Sequence, residues 1–493
     1  MLDAAIYLPL FTGLIVLLLP RRQTQLIRPV ALSGSLLTLL ISIGLWIGYN
    51  PTNSDLQWRT TKSWIPSIGA TYDVAVDGLS LLLIGLTALL TILAVVFAVP
   101  AAERPKEHAF LFLLMATGLI GLFASQDLLL FYLFWEVSLV PMYFIIGIWG
   151  GERRGYAAIK FFLYTRVGSL AMLLSFLALY LAMKPNTFSL PAIIQAHPMA
   201  ASSTIAGLTL LGLFLGFGVK LPAVPLHNWL PDAHVDAPTE GSVILAGLLL
   251  KMGGYGFIRV MLPSIPDAAK QYGWILVAIA LISIVYGALA ALAQRDLKRL
   301  VAYTSINHMG YVLLGVGVWA LAGNPAVRQL ALNGAILQMV SHGLLTGGMF
   351  FLVGILQHRA GTRDIDRFGG LLGQLPIYSG LLGLLAFGSL GLPGLSGFVA
   401  EFQVFGAALP INLWVAVIAL LGVLITTALY LRVIGALLMG KSPQGMPEFS
   451  EPGTKEIAVV TVLAVLSVLL GILPGTILPA IEGTTRFLAH GGG

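Results

Sequence analysis

Long apolar segments follow one another through this chain with almost no polar sequence between them, and no other feature constrains the fold as much. About fourteen segments approach the length of a spanning helix: roughly 3–20, 27–48, 77–99, 109–125, 127–149, 156–183, 203–225, 239–262, 272–293, 298–321, 329–357, 376–408, 411–438 and 456–480. Lipid offers the backbone no hydrogen bonds, so segments of this kind satisfy their own by becoming helices. Charged residues make up 10% of the 493 residues, against roughly 25% in a soluble domain. The sequence therefore predicts an all-α integral membrane protein of a single membrane domain, 1–493, with no soluble domain. Met1–Leu19 precedes its arginines, the wrong order for a cleaved leader, and reads as the first spanning helix. The longest polar stretch, about 49–76, is expected to pack as a small ordered loop.

The connections carry an uneven charge. Arg21, Arg22, Arg28, Arg104, Lys106, Arg153, Arg154, Arg295, Lys298, Arg299, Arg359, Arg363, Arg367, Lys441 and Lys455 all fall in odd-numbered connections. The even ones carry only Arg59, Lys62, Lys184, Lys270 and Arg328. Basic loops stay on the cytoplasmic side, so the odd connections are expected there and both termini on the opposite side. The net charge of +6 is an orientation signal in this frame; it does not indicate nucleic acid, and the surrounding partner is lipid. There is no cysteine, which excludes cysteine-held iron–sulfur clusters and disulfides from this chain.

Lys220 ends an apolar run, Leu208 to Val219, and is followed at once by Leu221-Pro222-Ala223-Val224-Pro225. Proline removes a backbone donor and clashes with the preceding turn, so a helix must break here. A charge in hydrocarbon costs about 2.5–3.5 kcal/mol on insertion scales and is kept where it has a use. A weaker echo follows, in which Phe387-Gly388 precedes Leu392-Pro393 and the run Pro393-Gly394-Leu395-Ser396-Gly397. Paired interrupted helices point to an inverted repeat with a site at the breaks. Discontinuous helices are thus expected near 221–225 and 393–397.

Four ionisable residues lie inside the apolar segments or at the breaks: Glu136, Lys220, Lys251 and Glu401. Burial disfavours a lysine's charge and a nearby carboxylate favours it, so shifting the carboxylate switches proton occupancy. Lys220 and Lys251 are the natural partners of Glu136, and the four together form a candidate proton relay; the bland alternative is a static ion pair that fixes helix packing.

His308 and His342 lie within apolar helices and suit proton transfer through either ring nitrogen. A structural role between helices and a haem held by both are the alternatives. His227, Asp232, His234 and Asp236 cluster after the first break; their spacing fits no zinc pattern well, and a wet entrance or helix cap suits them better. Arg166 and Glu240 are possible additions to the relay, as are His227 and His234. Glu240 could instead favour a helix N-terminus. Arg295-Asp296-Leu297-Lys298-Arg299 reads as a basic cluster at the membrane edge.

The run Leu221-Pro222-Ala223-Val224-Pro225-Leu226-His227-Asn228-Trp229-Leu230-Pro231-Asp232-Ala233-His234, with Ala237-Pro238-Thr239 and Gly241-Ser242-Val243-Ile244-Leu245-Ala246-Gly247, resembles the antiporter-like membrane subunits of respiratory complex I. The chain M or chain 4 type is the nearest in kind. Trp135-Glu136-Val137, Ile148-Trp149-Gly150-Gly151, Lys160-Phe161-Phe162-Leu163-Tyr164-Thr165, Asp296-Leu297-Lys298-Arg299, Ala302-Tyr303-Thr304-Ser305 and the run Leu392 to Glu401 extend the likeness over nearly the whole chain.

The resemblance implies fourteen helices with two inverted five-helix repeats: helices 1–3 over about 3–99, the first repeat over about 109–262, the second over about 272–438, and a last helix over about 456–480. It implies that Glu136, Lys220, Lys251 and Glu401 carry the proton path, with His308 and His342 near its connecting channel. It implies no metal and no cofactor bound by this chain; NAD(P)H or ferredoxin and a quinone would be handled by other subunits. The implied partners are the other subunits of the membrane arm, including a neighbouring antiporter-like subunit. Arg166, Glu240 and Asn307 depart from the family's usual residues. The resemblance extends to cyanobacterial paralogues that serve a CO₂-uptake form, which would put the chain in a thylakoid membrane with plastoquinone beside a CO₂-hydrating partner protein, with a bacterial plasma membrane as the other location. A multi-subunit cation/proton antiporter and a non-conducting scaffold are the competing functions.

Overall fold

Helix is what the apolar segments form. The computed structural model describes every residue except Arg21, Ser54, 99–102, 200–202, 444–445 and 491–493. Arg21 and the last residue of the third apolar segment thus lie outside the described residues. The helices introduced first are α1 Leu2–Leu18, α2 Ile27–Ile47, α3 Gly78–Phe97, α4 Pro105–Ala124, α5 Leu128–Trp149, α6 Arg154–Ala182 and the short α7 Leu190–Ala196. Next come α8 Thr204–Lys220, α9 Trp229–Asp236, α10 Thr239–Ser264, α11 Pro266–Gln271, α12 Gly273–Leu292, α13 Leu297–Leu321 and α14 Pro325–Ala360. The chain closes with α15 Pro376–Ser389, α16 Ser396–Ala408, α17 Leu413–Leu438, α18 Thr454–Ile472 and α19 Leu478–Ala489. Among the described residues, 10 helices are long and apolar enough to cross a membrane, and α1, α8 and α15 are shorter apolar ones.

Both predicted breaks exist. The first separates α8 from α9 at 221–228, and the second separates α15 from α16 at 390–395, slightly earlier than the sequence suggested. Gly391 and Gly394 have φ of 81° and 92°, a left-handed backbone that a side chain would strain. They let the second break turn without a penalty.

The polar stretch before α3 is not a plain loop. Gln57–Ile65 (β1) and Ala70–Val76 (β2) pair antiparallel, turning at Gly69 with φ 64°. The alternation of β-branched and polar residues in Thr60–Ser63 and Thr71–Val76 carries that signal. The hairpin gathers the even connections. Val74 bridges to Ser125, and Asp127 bridges to Ser189. Asp3 at the start of α1 accepts from the Tyr72 hydroxyl at 2.5 Å. The Thr484 hydroxyl of α19 receives the Gly78 amide at 3.1 Å. Both ends of the described chain therefore lie beside the even connections.

Two helices form the axis of the molecule. The apolar windows of α10 and α14 are 100% buried, whereas those of α2, α17 and α18 are 33%, 33% and 28% buried and face outward. Polar groups on α10 and α14 are therefore shielded on all sides, which is where an ion path can be kept from lipid.

Candidate functional site

Lys220 is the last residue of α8, and its ammonium is fully buried without a hydrogen-bond partner. It faces the rings of Phe161 at 5.1 Å and Trp135 at 5.9 Å. Cation–π contact compensates it in part, and the Glu136 charge is near enough to act on it as well. The break beside it is held by local bonds: the Ala223 amide donates to the Gly218 carbonyl at 2.9 Å, and the Trp229 indole donates to the Val219 carbonyl at 2.9 Å. Irregular backbone inside the membrane is thus satisfied from within.

Glu136 does not pair with either lysine, contrary to expectation. Its carboxylate forms an ion pair with Arg166 and accepts from the Ser169 hydroxyl at 2.7 Å. Arg166 projects from α6 one helical turn before Ser169, and its side chain is 40% exposed. A guanidinium offers a fork that matches a carboxylate, so it outcompetes an ammonium that would need burial to reach it.

Lys251 also differs from expectation. Its Nζ donates to the Ala246 carbonyl at 2.6 Å and lies 2.6 Å from His342 Nδ1. The backbone around it is π-helical at Leu245–Leu249 and again at Phe257–Met261. π-turns shift carbonyls off the α-helical ladder and recur at functional sites. The same helix approaches the first break through Gly253, where a Cβ would sit 2.4 Å from the Phe217 carbonyl oxygen. Only glycine permits that contact.

From His342 the row continues into the second half. The His342 and His308 rings are 5.8 Å apart. His308 Nδ1 lies 3.5 Å from Glu401, and the Gln338 amide donates at 3.3 Å to both Glu401 and His308. A narrow cleft lined by these residues and Ser341 and Ser389 contains them. A run of hydroxyls branches from it: Ser341, Ser396 and Ser467 follow one another at 2.8 Å steps. Sequence reasoning missed Gln338 and these serines. Gln338 lies one turn before His342 on the same helix face, a spacing that could have flagged it.

The polar cluster after the first break separates. Asp232 is clamped by Lys160 at 2.7 Å and Arg299 at 3.0 Å. Asp236 accepts the Arg153 amide at 3.0 Å, closing the loop between α5 and α6. His227 rests edge-on against Tyr286 with its Nδ1 unpartnered. His234 stacks flat on Phe350 at 4.5 Å, buried, with neither ring nitrogen partnered. No group of three such side chains able to hold a metal occurs among the described residues.

Glu240 meets His108 at 3.1 Å on the Lys/Arg-rich side, where neither a relay nor a bare helix cap had been foreseen to need a histidine. Lys298, expected at the membrane edge, is buried and donates to the Ala237 carbonyl. It lines a cavity of about 1080 Å³ built from the ends of α5, α9 and α14 and the connection between α12 and α13. Arg259 and Asp77, also missed, form a buried pair at 2.7 Å that ties the far end of α10 to the start of α3.

Residues 125–426 match the family described as NADH:quinone oxidoreductase/Mrp antiporter, transmembrane. The chain is 40% identical over 473 residues to NADH-quinone oxidoreductase subunit M of Rhodobacter capsulatus, covering 94% of this chain and 90% of that protein. It is 39% identical over 504 residues to NAD(P)H-quinone oxidoreductase chain 4 of Prochlorococcus marinus, covering 98% and 91%. A chain of respiratory complex I from Thermus thermophilus with bound NADH superposes over 100% of both chains, with a TM-score of 0.90 and 31% identity.

Proposed function

Because this chain belongs to the NADH:quinone oxidoreductase/Mrp antiporter transmembrane family, we propose that it is the proton-translocating subunit M, or chain 4, of an NADH- or NAD(P)H-quinone oxidoreductase. The observation that carries this is the buried row Lys251, His342, His308, Gln338, Glu401, with no apolar gap wider than the two imidazoles. Redox chemistry and quinone belong to other subunits of the membrane arm and its attached complex. This chain moves charge.

The geometry supports a cycle with named steps. Lys251 holds a proton between the Ala246 carbonyl and His342. Imidazole accepts at one nitrogen and releases at the other, so His342 can pass the proton toward His308 and Glu401. Ser341, Ser396 and Ser467 offer an exit along hydroxyls, each both donor and acceptor. Lys220, unpaired at the break, is loaded when a carboxylate approaches and emptied when it withdraws. One pKa unit is about 1.4 kcal/mol, so small movements at the break suffice. Glu136 sits at the outer end, engaged by Arg166. We take the segments about 109–262 and 272–438 as the two inverted repeats, each contributing one break. The odd connections are placed on the cytoplasmic side and both termini opposite. As the finer version we propose a CO₂-uptake form in a thylakoid membrane, with plastoquinone and a CO₂-hydrating partner; the chain 4 relative's name speaks only of NAD(P)H and quinone.

The test is proton uptake by vesicles holding the intact complex, with quinone reduction followed in parallel. Lys220→Ala and Lys251→Ala are expected to abolish this chain's share of pumping in an assembled complex. Unchanged protons per quinone in both variants would reduce the chain to a scaffold. Sodium-dependent transport would instead favour the cation/proton antiporter.

A further inference from the structure

The geometry points to His108 and Glu240 as a proton-loading pair that feeds the relay from the cavity on the Lys/Arg-rich side. This rests on the relay reading and supplies the entrance that the row from Lys251 to Glu401 lacks.

Both side chains line the cavity of about 1080 Å³, which has room for a chain of water molecules. They are nevertheless only 7% and 13% exposed, and His108 Nε2 lies 3.1 Å from Glu240 Oε1. The imidazole is held in place, with Phe112 and Trp149 each packing 4.9 Å from it. The Trp149 indole is itself fixed by a 2.9 Å bond to the Glu103 carbonyl. Buried Lys298 on the facing wall is near enough for its charge to act on Glu240. An apolar pair would join α4 to α10 as well as this one, and without the cost of burying charge. A histidine and a carboxylate at a wet floor instead provide an acceptor that can reload from water.

The way inward is also present. Glu240 opens α10, the helix that carries Lys251. His234 lies between the cavity end of α9 and the core, and neither of its ring nitrogens has a protein partner. Lys298 of the cavity wall and Lys251 of the relay are both near enough for their charges to act on it. A proton taken by the His108–Glu240 pair thus has an imidazole on which to pause before Lys251.

The experiment uses the intact complex in vesicles and measures proton uptake and quinone reduction for Glu240→Gln, Glu240→Ala and His108→Gln. Proton-coupled turnover is expected to fall about tenfold or more in each. Formate, at a concentration that leaves the wild type unchanged, is expected to restore Glu240→Ala, because a small weak acid fits the cavity and carries a proton. Wild-type rates in all three variants would overturn the inference. So would an assembled, slowed Glu240→Ala complex that formate does not restore, since that is the behaviour of a packing contact. Lys251→Ala keeps the two ideas apart. If it stops pumping while the Glu240 and His108 variants do not, only the entrance is wrong. If it pumps normally, the relay itself falls.

Discussion

Lys251 Nζ and His342 Nδ1 meet at 2.6 Å, across the contact between the two helices whose apolar windows are wholly buried. An ammonium there has one backbone carbonyl and one imidazole, and no carboxylate. The pair is therefore a place where a proton can sit on either partner, unlike an ion pair that fixes it.

His342→Ala should accordingly be worse for transport than for folding. Removing the ring leaves Lys251 with the Ala246 carbonyl alone and opens a gap before His308. The expected result is an assembled complex whose pumping through this chain is lost while quinone reduction slows with it. Normal proton uptake with the ring absent would show that the row is not the path.

Arg166 and Glu136 should be coupled in assembly. Glu136→Gln leaves a guanidinium without its partner at mid-helix, on a face already lined by exposed Leu163, Val167 and Leu170. An unpaired charge at that depth costs about 3 kcal/mol on insertion scales. The yield of assembled complex should fall in Glu136→Gln and recover when Arg166→Gln is added, without recovery of pumping. A double variant as poor as the single one would disprove the coupling.

Much of this was readable in the chain. Spanning helices and both breaks follow from apolar length and proline, and stranded polar groups mark Glu136, Lys220, Lys251, His308, His342 and Glu401 as candidates. What could not be read was pairing. A one-dimensional pattern places Glu136 and Lys220 in segments two apart, with Arg166 in the one between, but which cation the carboxylate takes depends on side-chain direction around α6, and Arg166 wins. His108 was invisible for the same reason: at the start of a helix it reads as a surface residue, and only folding carries it against Glu240. The hairpin was obscured because its first strand is mostly exposed and polar.

Gly253 should be intolerant of any side chain. A Cβ there would lie 2.4 Å from the Phe217 carbonyl oxygen and 2.6 Å from the Leu221 amide, both backbone and both at the break. Overpacking of this kind costs about 1–3 kcal/mol, and here it also displaces Lys220. Gly253→Ala should reduce assembly or pumping, whereas Gly373→Ala, with nothing within 4 Å, should leave both intact. Equal behaviour of the two variants would contradict the close approach.

Asp127 gives a prediction in pH. Its carboxylate accepts from Leu129 and Leu130 amides at 2.9 and 3.1 Å and from the Thr71 amide at 2.9 Å, so it caps α5 and holds β2. Burial nonetheless pushes its carboxyl above the ordinary aspartate range. The folded state then binds its proton more tightly than the unfolded state does, so this site's contribution to stability falls as pH rises through the folded value. In detergent-solubilised complex, thermal stability of the wild type relative to Asp127→Asn should improve as pH is lowered from neutral toward 5. Asp127→Ala should cost about 1–2 kcal/mol at neutral pH, through the lost cap. A wild type that loses ground to Asp127→Asn on acidification would mean that the three amides outweigh burial.

Gln338 is the sharpest test of the second half, because nothing but its spacing from His342 singles it out. Its amide donates to Glu401 and to His308 at 3.3 Å each and holds them 3.5 Å apart. A leucine of similar volume would keep the packing and remove the bridge, leaving Glu401 to find His308 directly. Transport should slow by about a hundredfold, the lower end for a displaced acid–base group, with the complex assembled. Gln338→Glu makes the opposite disturbance, setting a second carboxylate beside Glu401, so one of the two must hold a proton. That variant should trap the proton that Glu401 ought to pass on, and its pumping should recover partly as pH rises and the shared proton is released. If Gln338→Leu and Gln338→Glu both pump at the wild-type rate across pH, Gln338 carries no part of the path, and Glu401 is served by its direct 3.5 Å contact with His308 or not at all.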